Sequence, residues 1–375
     1  VWLDNKRGLL NDSNNPASDG DNIRTWEDQS GNDNHISQES ADSMSQLNVS
    51  GINNLPTLQF DGVNDYYITE SGSADAPLNI FVVNQYVQSK DQTLISVGDA
   101  SDSNTASISR NAGDQYYNYT NGVYTGPTLS GNTPYLLQAR HTVPSPNHSL
   151  VVNGSPQSVN TYSGALITDG TLKIGADRNT EGFFAGDLSE VVIYDKVVNS
   201  AQELIITNYL SAKFGIDIGV SDIYPYQNSY SNDVAGIGRV NENNIHTKAQ
   251  SAGILAIGGA SDLEDGEFLL FGHDGASIDT WISTETPDSD PNTRRIEREW
   301  IVHIESPGDD VGSVSLSIDT TLLPPLPDEF LYYNVVVDAD DDFSTGAVSY
   351  GLIPAGDELV ANNVIVEEGS HITIL

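Results

Sequence analysis

Short apolar segments alternate with polar turns along most of the chain. Clear examples are IRTWEDQSGNDNHIS (23–37), LPTLQFDGVNDYYIT (55–69) and REWIVHI (298–304). Strands of this length, separated by Gly, Asn and Asp, are typical of antiparallel β-sandwiches. The pattern continues on both sides of residue 216, so we predict an all-β protein.

One segment, SAQELIITNYLSAKFG (200–215), predicts an α-helix instead. Ser200 and Glu203 have the spacing of a capping box, and Gly215 suits the left-handed residue that ends many helices. Apolar side chains recur at helical spacing and form one face, namely Leu204, Ile205, Tyr209, Leu210 and Phe214. We expect this helix to cover the rim of the preceding sandwich, with residues 1–216 as a first domain and residues 217–375 as a smaller second one.

Composition narrows the range of partners. The 375 residues include 53 Asp and Glu but only 15 Lys and Arg, which gives a net charge of −38. Such a chain repels nucleic acid phosphates and anionic lipids, so nucleic acid is excluded as a partner. No apolar run approaches the roughly 20 residues that cross a bilayer, and we expect no membrane insertion. The charge itself has three interpretations: cation binding, adaptation to salt, or solubility.

The chain has no Cys. Disulfide bonds and thiolate chemistry are therefore excluded. The histidines do not form a His-x-His or His-Glu-x-x-His motif, which argues against a zinc site.

Several segments, in a fixed order, resemble a known family. They are VWLDNKRG, WEDQSGNDNHISQ, LPTLQFDGVNDYY, LVVNGSP, LKIGAD and FFAGDLSEVVIYDKVVNSAQELIITNYLSAKFGI, all within residues 1–216. Together they resemble the bacterial laminin-G-like, concanavalin A-like lectin domains. Residues 217–375 are similar, on YSNDVAGIGR, REWIVHI and VIVEEGSHITIL, to a domain of unknown function that follows such domains in bacterial surface proteins.

The resemblance implies a jelly-roll sandwich with a C-terminal helix, followed by a second, smaller β-sandwich. It also implies an extracellular or cell-surface location in a bacterium, with an extracellular glycan or a surface ligand as the partner. Because the chain starts abruptly at Val1, we expect it to be part of a larger protein.

The segment DADDDF is the first candidate for cation binding. Asp338, Asp340 and Asp342 alternate, and Asp341 adds a fourth carboxylate. In a loop, this spacing lets several hard oxygens converge on one Ca²⁺. The alternative is a solvated loop, because the segment departs from the EF-hand pattern and has Phe343 where that pattern has Gly.

Two earlier loops are further candidates for calcium. DGVNDYY carries Asp61 and Asp65, and WEDQSGNDNH carries Asp28. The resemblance implies structural Ca²⁺ in loops of this kind. Asp-Gly and Asn-Asp are also ordinary turn formers, so a purely structural turn is the alternative at each loop.

The segment DQYYNYTNGVYTG (114–126) is the candidate ligand-binding site, because it holds four tyrosines, Tyr116, Tyr117, Tyr119 and Tyr124. Flat rings of this kind can stack on the apolar face of a sugar. Tyrosines along a strand are equally typical of sandwich packing. His141, on the strand PYLLQARH, is a further candidate for lining a cleft, and a structural histidine is the alternative there.

Sequence signatures of enzymes are absent. There is no Gly-x-Ser-x-Gly elbow and no Walker loop. We therefore predict that the chain is not an enzyme, and favour a calcium-supported module of an adhesin or secreted protein that binds a carbohydrate or another ligand. Two alternatives stay open: a polysaccharide-active glycosidase or lyase on the same jelly-roll fold, and a structural spacer without a ligand.

Overall fold

The computed structural model describes residues 1–69, 78–98, 105–119, 123–141, 148–160, 170–287, 293–307, 310–326, 330–356 and 358–375. Within these ranges the chain divides into two compact units, Val1–Val198 and Asn199–Leu375. Strands dominate both units, and the sheets pack as sandwiches. The predicted all-β fold class is confirmed.

The first unit holds two antiparallel sheets. Its strands are β1 (Trp2–Leu3), β2 (Leu9–Asn11), β3 (Ile23–Trp26), β4 (Ile36–Ser37), β5 (Gln46–Asn48), β6 (Thr57–Asp61), β7 (Tyr67–Thr69), β8 (Leu78–Tyr86), β9 (Gln92–Gly98), β10 (Thr105–Arg110), β11 (Gln115–Tyr119), β12 (Val123–Thr128), β13 (Tyr135–His141), β14 (His148–Val152), β15 (Ser155–Asn160), β16 (Leu172–Ile174) and β17 (Ala185–Tyr194). One sheet has the order β15-β14-β13-β8-β17-β6-β5, with β1 paired to β17. The other has the order β12-β11-β10-β9-β16-β7-β4-β3-β2. Short 3₁₀ turns lie at Ala41–Ser43 and Ile52–Asn54.

The alternation of side chains along each strand decides which residues fill the core of the first unit. In β6, Leu58 and Phe60 are buried in the core, whereas Gln59 between them is exposed. From the other sheet, Trp26 joins the same core, and its Nε1 donates to the carbonyl oxygen of Asp4 at 2.8 Å. Burying one large apolar side chain stabilises a fold by roughly 1.5–3 kcal/mol, so the alternating pattern is what holds the two sheets together.

The second unit begins with the helix α1 (Ser200–Phe214) and continues with strands. These are β18 (Asn232–Asn241), β19 (Asn244–His246), β20 (Lys248–Ser251), β21 (Leu255–Gly258), β22 (Glu267–His273), β23 (Trp281–Ile282), β24 (Arg295–Ile296), β25 (Trp300–Glu305), β26 (Val314–Ile318), β27 (Asn334–Asp338), β28 (Val348–Gly351), β29 (Ile353–Ala355), β30 (Glu358–Val364) and β31 (His371–Ile374). A seven-stranded sheet has the order β19-β18-β22-β25-β31-β27-β28, and a five-stranded sheet the order β20-β21-β26-β30-β29. Strands β23 and β24 form a separate pair, and 3₁₀ turns lie at Gly219–Ser221 and Thr320–Leu322.

Side chains from both sheets of the second unit form its core. Phe271 and Trp300 belong to the seven-stranded sheet, and Leu255 and Leu316 to the five-stranded sheet. The indole Nε1 of Trp300 donates to Ser251 Oγ at 3.1 Å, so the buried ring keeps a partner for its polar atom.

The helix α1 lies where the sequence predicts it, but its N-cap residue is one position earlier than predicted. Asn199 is the N-cap: its side chain accepts from the backbone NH of Gln202 at 3.0 Å, and Gln202 Oε1 accepts from the backbone NH of Asn199 at 3.1 Å. This reciprocal pair takes the place of the Ser200–Glu203 box that the sequence predicts. Gly215 ends the helix in the left-handed conformation, as predicted.

The structure groups α1 with the second unit, whereas the sequence led us to expect it on the rim of the first sandwich, with the boundary at 216/217. The reason lies in its packing: Ala201 and Ile205 share a cluster with Val234 of β18, Leu270 of β22 and Ile301 of β25. None of the helices within the described ranges combines the length and the hydropathy that a transmembrane segment requires.

Candidate functional site

A cavity of about 580 Å³ opens in the first unit and joins several polar side chains that are far apart in the sequence. Two of its carboxylates are buried, since Asp65 is 5% and Asp187 9% exposed. Its lining comprises Asn22, Ala41, Asp42, Met44, Gln46, Gln59, Phe60, Asp61, Asp65, Val87, Gly186 and Asp187.

Strand register places three of the lining side chains in one row. Gln46 of β5 faces Gln59 of β6, and Gln59 faces Asp187 of β17. Gly186 precedes Asp187, and a Cβ there would lie 2.3 Å from the carbonyl oxygen of Gln85. Only glycine therefore allows β17 to approach β8 this closely beside the cavity.

The turn after β6 supplies the second group of lining residues. The backbone NH of Asp61 donates to Asp65 Oδ2 at 2.8 Å, and the NH of Val63 donates to Asp61 Oδ1 at 2.7 Å. Asn64 Nδ2 then donates to the carbonyl oxygen of Asp42 at 2.7 Å, which ties this turn to the 3₁₀ turn at residues 41–43. These bonds hold Asp42, Asp61 and Asp65 at the mouth and wall of one cavity.

Burial changes the acidity of two carboxyl groups in the cavity. It raises the pKa of Asp65 to about 6, because the hydrogen bond from the NH of Asp61 offsets the loss of water only in part and the Asp61 carboxylate repels a second negative charge. Burial also raises the pKa of Asp187, against hydrogen bonds from Gln59 and Thr57 that favour its ionised form. Asp65 can therefore hold or release a proton close to neutral pH.

A lysine contacts the turn. Lys90 Nζ donates to the carbonyl oxygen of Gly62, whose φ of +77° is in the left-handed region that favours glycine. Burial lowers the pKa of Lys90, and the nearby Asp61 carboxylate opposes this change. Lys90 thus acts on the turn from outside the cavity lining.

Chemically, the cavity offers hydrogen-bond acceptors, amides and a small apolar surface together. The carboxylates accept hydrogen bonds, and the amides of Asn22, Gln46 and Gln59 both donate and accept. Phe60 and Met44 supply the apolar part. This combination suits a ligand with several hydroxyl groups and an apolar face.

The predicted calcium ligands lie in separate places. Asp61 and Asp65 come together in the cavity turn described above. Asp28 lies in its own loop, where its two carboxylate oxygens accept from the NH groups of Trp2, Ser30 and Asn34 at 2.7, 2.9 and 3.1 Å. Although burial opposes it, the hydrogen bonds from Trp2 and Ser30 hold the pKa of Asp28 below its usual value, and the carboxylate organises the loop.

The DADDDF segment follows β27 as a series of side-chain-capped turns. Asp338, 6% exposed, accepts through Oδ1 from the NH of Ala339 at 2.6 Å, and Asp340 and Asp342 each accept from an NH two residues further on. Asp338 Oδ2 is buried and has no hydrogen-bond partner in the described part of the chain. No group of three or more His, Asp or Glu side chains within the described ranges is arranged to hold a metal ion.

The tyrosine prediction requires a correction at Tyr116. Its side chain is fully buried, its hydroxyl donates to Asn84 Oδ1 at 2.6 Å, and its ring packs edge-on against Tyr86 at 6.0 Å. Tyr116 is a core residue because its strand turns this position inward, and it is not accessible to a glycan. His141 at the end of β13 is also buried, at 2% exposed. The side chains of Tyr117, Tyr119 and Tyr124 lie outside the described residues.

The second unit contains a cluster of charged and aromatic residues that the sequence did not predict. Arg295 Nη1 lies 3.1 Å from Glu299 Oε1, Glu299 Oε2 lies 3.8 Å from His371 Nδ1, and that nitrogen lies 3.4 Å from the hydroxyl of Tyr230. Burial, together with Glu299, Asp274 and Asp341, raises the pKa of the Tyr230 hydroxyl to about 12. We call the four residues Arg295, Glu299, His371 and Tyr230 the polar chain.

A second such contact lies on the same sheet. Tyr226 donates to Glu368 Oε1 at 2.6 Å, and His303 Nδ1 lies 3.0 Å from the same oxygen. Both arrangements fix the segment before β18 on the sheet. No sequence signal pointed to them, because only strand register brings residues 226–230, 299–303 and 368–371 together.

The comparisons with known proteins are distant. A family model described as "Domain of unknown function (DUF8202)" matches residues 203–370, which lie in the second unit. A search among curated proteins finds no match. Among solved structures, the chain is similar to a sialidase from Trypanosoma rangeli, with 13% identity, a TM-score of 0.40, and coverage of 58% of this chain and 33% of the sialidase.

Two further solved structures are a heptameric SAP-like pentraxin from Limulus polyphemus and domain 4 of an extracellular arabinanase from Geobacillus stearothermophilus. The pentraxin is 15% identical with a TM-score of 0.34, and the match covers 40% of this chain and 81% of the pentraxin. The arabinanase domain is 10% identical with a TM-score of 0.31, and the match covers 52% of this chain and 81% of the domain. The chain spans about a third of the length of the sialidases that it matches.

These matches correct one prediction. The sequence analysis predicted that the chain is not an enzyme, whereas the matched structures include several of a sialidase, one of them as a covalent intermediate. At identities of 12–16% and TM-scores of 0.37–0.40 they assign no activity to this chain. The absence of familiar catalytic motifs is therefore no basis for excluding catalysis.

Proposed function

We propose that the first unit binds a hydroxyl-rich ligand, most simply a glycan, in the cavity between β5, β6, β17 and the turn at residues 61–65. One observation carries the proposal: Asp187 and Gln59, adjacent in strand register, line the same cavity as the buried Asp65. Ligand pockets combine a concave apolar surface with a few converging polar groups, and this cavity has both. The resemblance of residues 1–216 to laminin-G-like lectin domains supports the same proposal.

The test is binding to a glycan array by the whole chain and two variants. Gln59→Ala removes an amide from the cavity, and we expect it to weaken binding at least five-fold. Gln157→Ala is the matched control, since Gln157 is exposed in β15 and donates to the carbonyl oxygen of Ser155 in the same strand. Equal binding by both variants, or no binding to any glycan, would contradict the proposal.

We further propose that the whole chain functions outside a bacterial cell, within a longer surface or secreted protein. We also propose that calcium stabilises its loops. The acidic composition and the resemblance support the setting. The buried Asp338 Oδ2, facing the loop that ends near Gly346, is the best support for a cation. A glycan-free spacer is the alternative if no ligand is found.

Calcium is expected to raise the melting temperature of the chain relative to excess EDTA. Ligand at a hundred times its Kd stabilises the folded state by about 2.7 kcal/mol. Thermal unfolding in EDTA, Ca²⁺ and Mg²⁺ measures the effect, and Asp338→Asn should abolish it while the exposed Asp12→Asn should not. An unchanged midpoint with and without Ca²⁺ would show that no calcium site contributes to stability.

A second candidate function is hydrolysis of a glycosidic bond in the same cavity. It is favoured by the protonation of Asp65, whose pKa of about 6 suits a general acid near neutral pH, next to the exposed carboxylate of Asp61. Incubation with polysaccharides and chromatography of the products tests it. Release of oligosaccharides that Asp65→Asn abolishes supports hydrolysis, and an unchanged polysaccharide leaves binding as the only role of the cavity.

A further inference from the structure

We infer that the cavity selects saccharides without negative charge, either neutral or amine-bearing, and rejects acidic ones such as uronates. This inference rests on the proposed binding function and adds the chemical class of the ligand. It follows from the charges that the fold brings together around the cavity.

The charged side chains that line the cavity are acidic. Four carboxyl groups face the cavity, those of Asp42, Asp61, Asp65 and Asp187. Among the described residues that line it, none is Lys, Arg or His. Recognition of a carboxylate ligand normally uses an Arg or Lys, because only these groups offset its charge once water is excluded. The lining therefore has the wrong sign for an acidic sugar.

Lys90 is a cation that contacts the turn at residues 61–65. Lys90 donates to the carbonyl oxygen of Gly62 and interacts electrostatically with the Asp61 carboxylate, and it is not among the residues that line the cavity. It lowers the charge of the turn without entering the lining. Asp65 and Asp187 lie deeper, and each is at least nine-tenths buried, so solvent screens their charge less than that of Asp42 and Asp61.

The lining can bind both hydroxyl and ammonium groups of a sugar. Carboxylates accept hydrogen bonds from sugar hydroxyls, and they attract an ammonium group. The amides of Gln59 and Gln46 can donate a hydrogen bond to a sugar hydroxyl or accept one from it. Phe60 offers an apolar surface to the C–H face of the sugar ring. A neutral sugar is thus matched by hydrogen bonds alone, and an amino sugar gains a charge-assisted one.

The experiment uses the whole chain with laminarin, galactan and mannan, the C6-oxidised form of each, and chitosan. Oxidation at C6 converts the primary alcohol of each sugar into a carboxylate and keeps the backbone, so the two members of each pair differ only at C6. We expect at least one of the three neutral polysaccharides to bind, and its oxidised counterpart to bind at least ten-fold more weakly at pH 7.5 and low salt. In 0.5 M NaCl the difference between the two forms should shrink, because salt screens the repulsion.

The variant Asp65→Asn/Asp187→Asn should narrow the neutral-to-oxidised affinity ratio at least five-fold, while Asp12→Asn, an exposed control, leaves the ratio unchanged. Circular dichroism confirms that each variant is folded, and single substitutions replace the double one if it is not. Binding of an oxidised polysaccharide within two-fold of its parent overturns this inference and leaves the proposed function standing. Absence of binding to every polysaccharide overturns both.

Discussion

Replacing Arg295 by methionine is expected to destabilise the second unit by about 3–5 kcal/mol, the cost of breaking a buried ion pair. Arg295 is 3% exposed, and its Nη1 lies 3.1 Å from Glu299 Oε1. It also donates to the carbonyl oxygens of Thr284 and Ile296, both at 3.2 Å. Methionine fills a similar volume but leaves the buried Glu299 without its cation, next to the rest of the polar chain.

The measurement is urea unfolding of the whole chain, followed by tryptophan fluorescence, since Trp300 lies in the core of this unit. Arg239→Met is the matched control, because Arg239 pairs with Asp265 at 2.7 Å while the two side chains are 32% and 59% exposed. Exposed pairs contribute about 0–1 kcal/mol. If both substitutions lower the free energy of unfolding by the same amount, the polar chain stabilises the second unit no more than an exposed ion pair does.

Asp65→Asn is expected to stabilise the chain at neutral pH and to do so less as the pH falls. The ionised carboxyl of Asp65 is disfavoured by burial, which raises its pKa from the ordinary value of 3.8 to about 6. A difference of one in pKa corresponds to about 1.4 kcal/mol, so the charge costs the folded state on the order of 2–3 kcal/mol above pH 6. Asparagine keeps an oxygen that can accept from the NH of Asp61 but carries no charge.

The pH window follows from the direction of the shift. Between about pH 4 and pH 6 the folded state binds a proton at Asp65 more readily than the unfolded state does. Stability from this group therefore rises as the pH falls through 6 and is constant below about 4, where both states are protonated. Urea unfolding at pH 4, 5, 6 and 7.5 should show the advantage of Asp65→Asn vanish at the acid end, whereas Asp12→Asn shows none. An equal advantage at every pH would mean that charge is not its cause.

The sandwich architecture could be predicted from the sequence because alternation reports burial directly. In β6, the apolar Leu58 and Phe60 alternate with Gln59, and only a strand places them on opposite faces. The helix was equally visible, from its apolar spacing and from Gly215. The strands against which the helix packs could not be predicted, because Ile205 contacts Val234 and Ile301 through tertiary packing that no local sequence pattern encodes.

The sequence predicted only some of the residues that line the cavity. Asp61 and Asp65 attracted attention as a turn, and the structure places both at the cavity. Asp187 did not, because its role depends on the register that sets it opposite Gln59, about 130 residues away in the chain. For Tyr116 the sequence led to a wrong prediction. A tyrosine ring can stack on a sugar, but the rest of the sheet decides which face of a strand is buried, and Tyr116 lies on the buried face.

The proposed function requires that a ligand binds in the cavity of the first unit. A crystal structure of the chain soaked with the neutral polysaccharide fragment that binds best tests this claim most directly. We expect density for sugar rings in the cavity, with hydroxyl groups within hydrogen-bond distance of Asp187 and Gln59. A fragment bound elsewhere on the chain, with this cavity filled only by water, would contradict the proposed function.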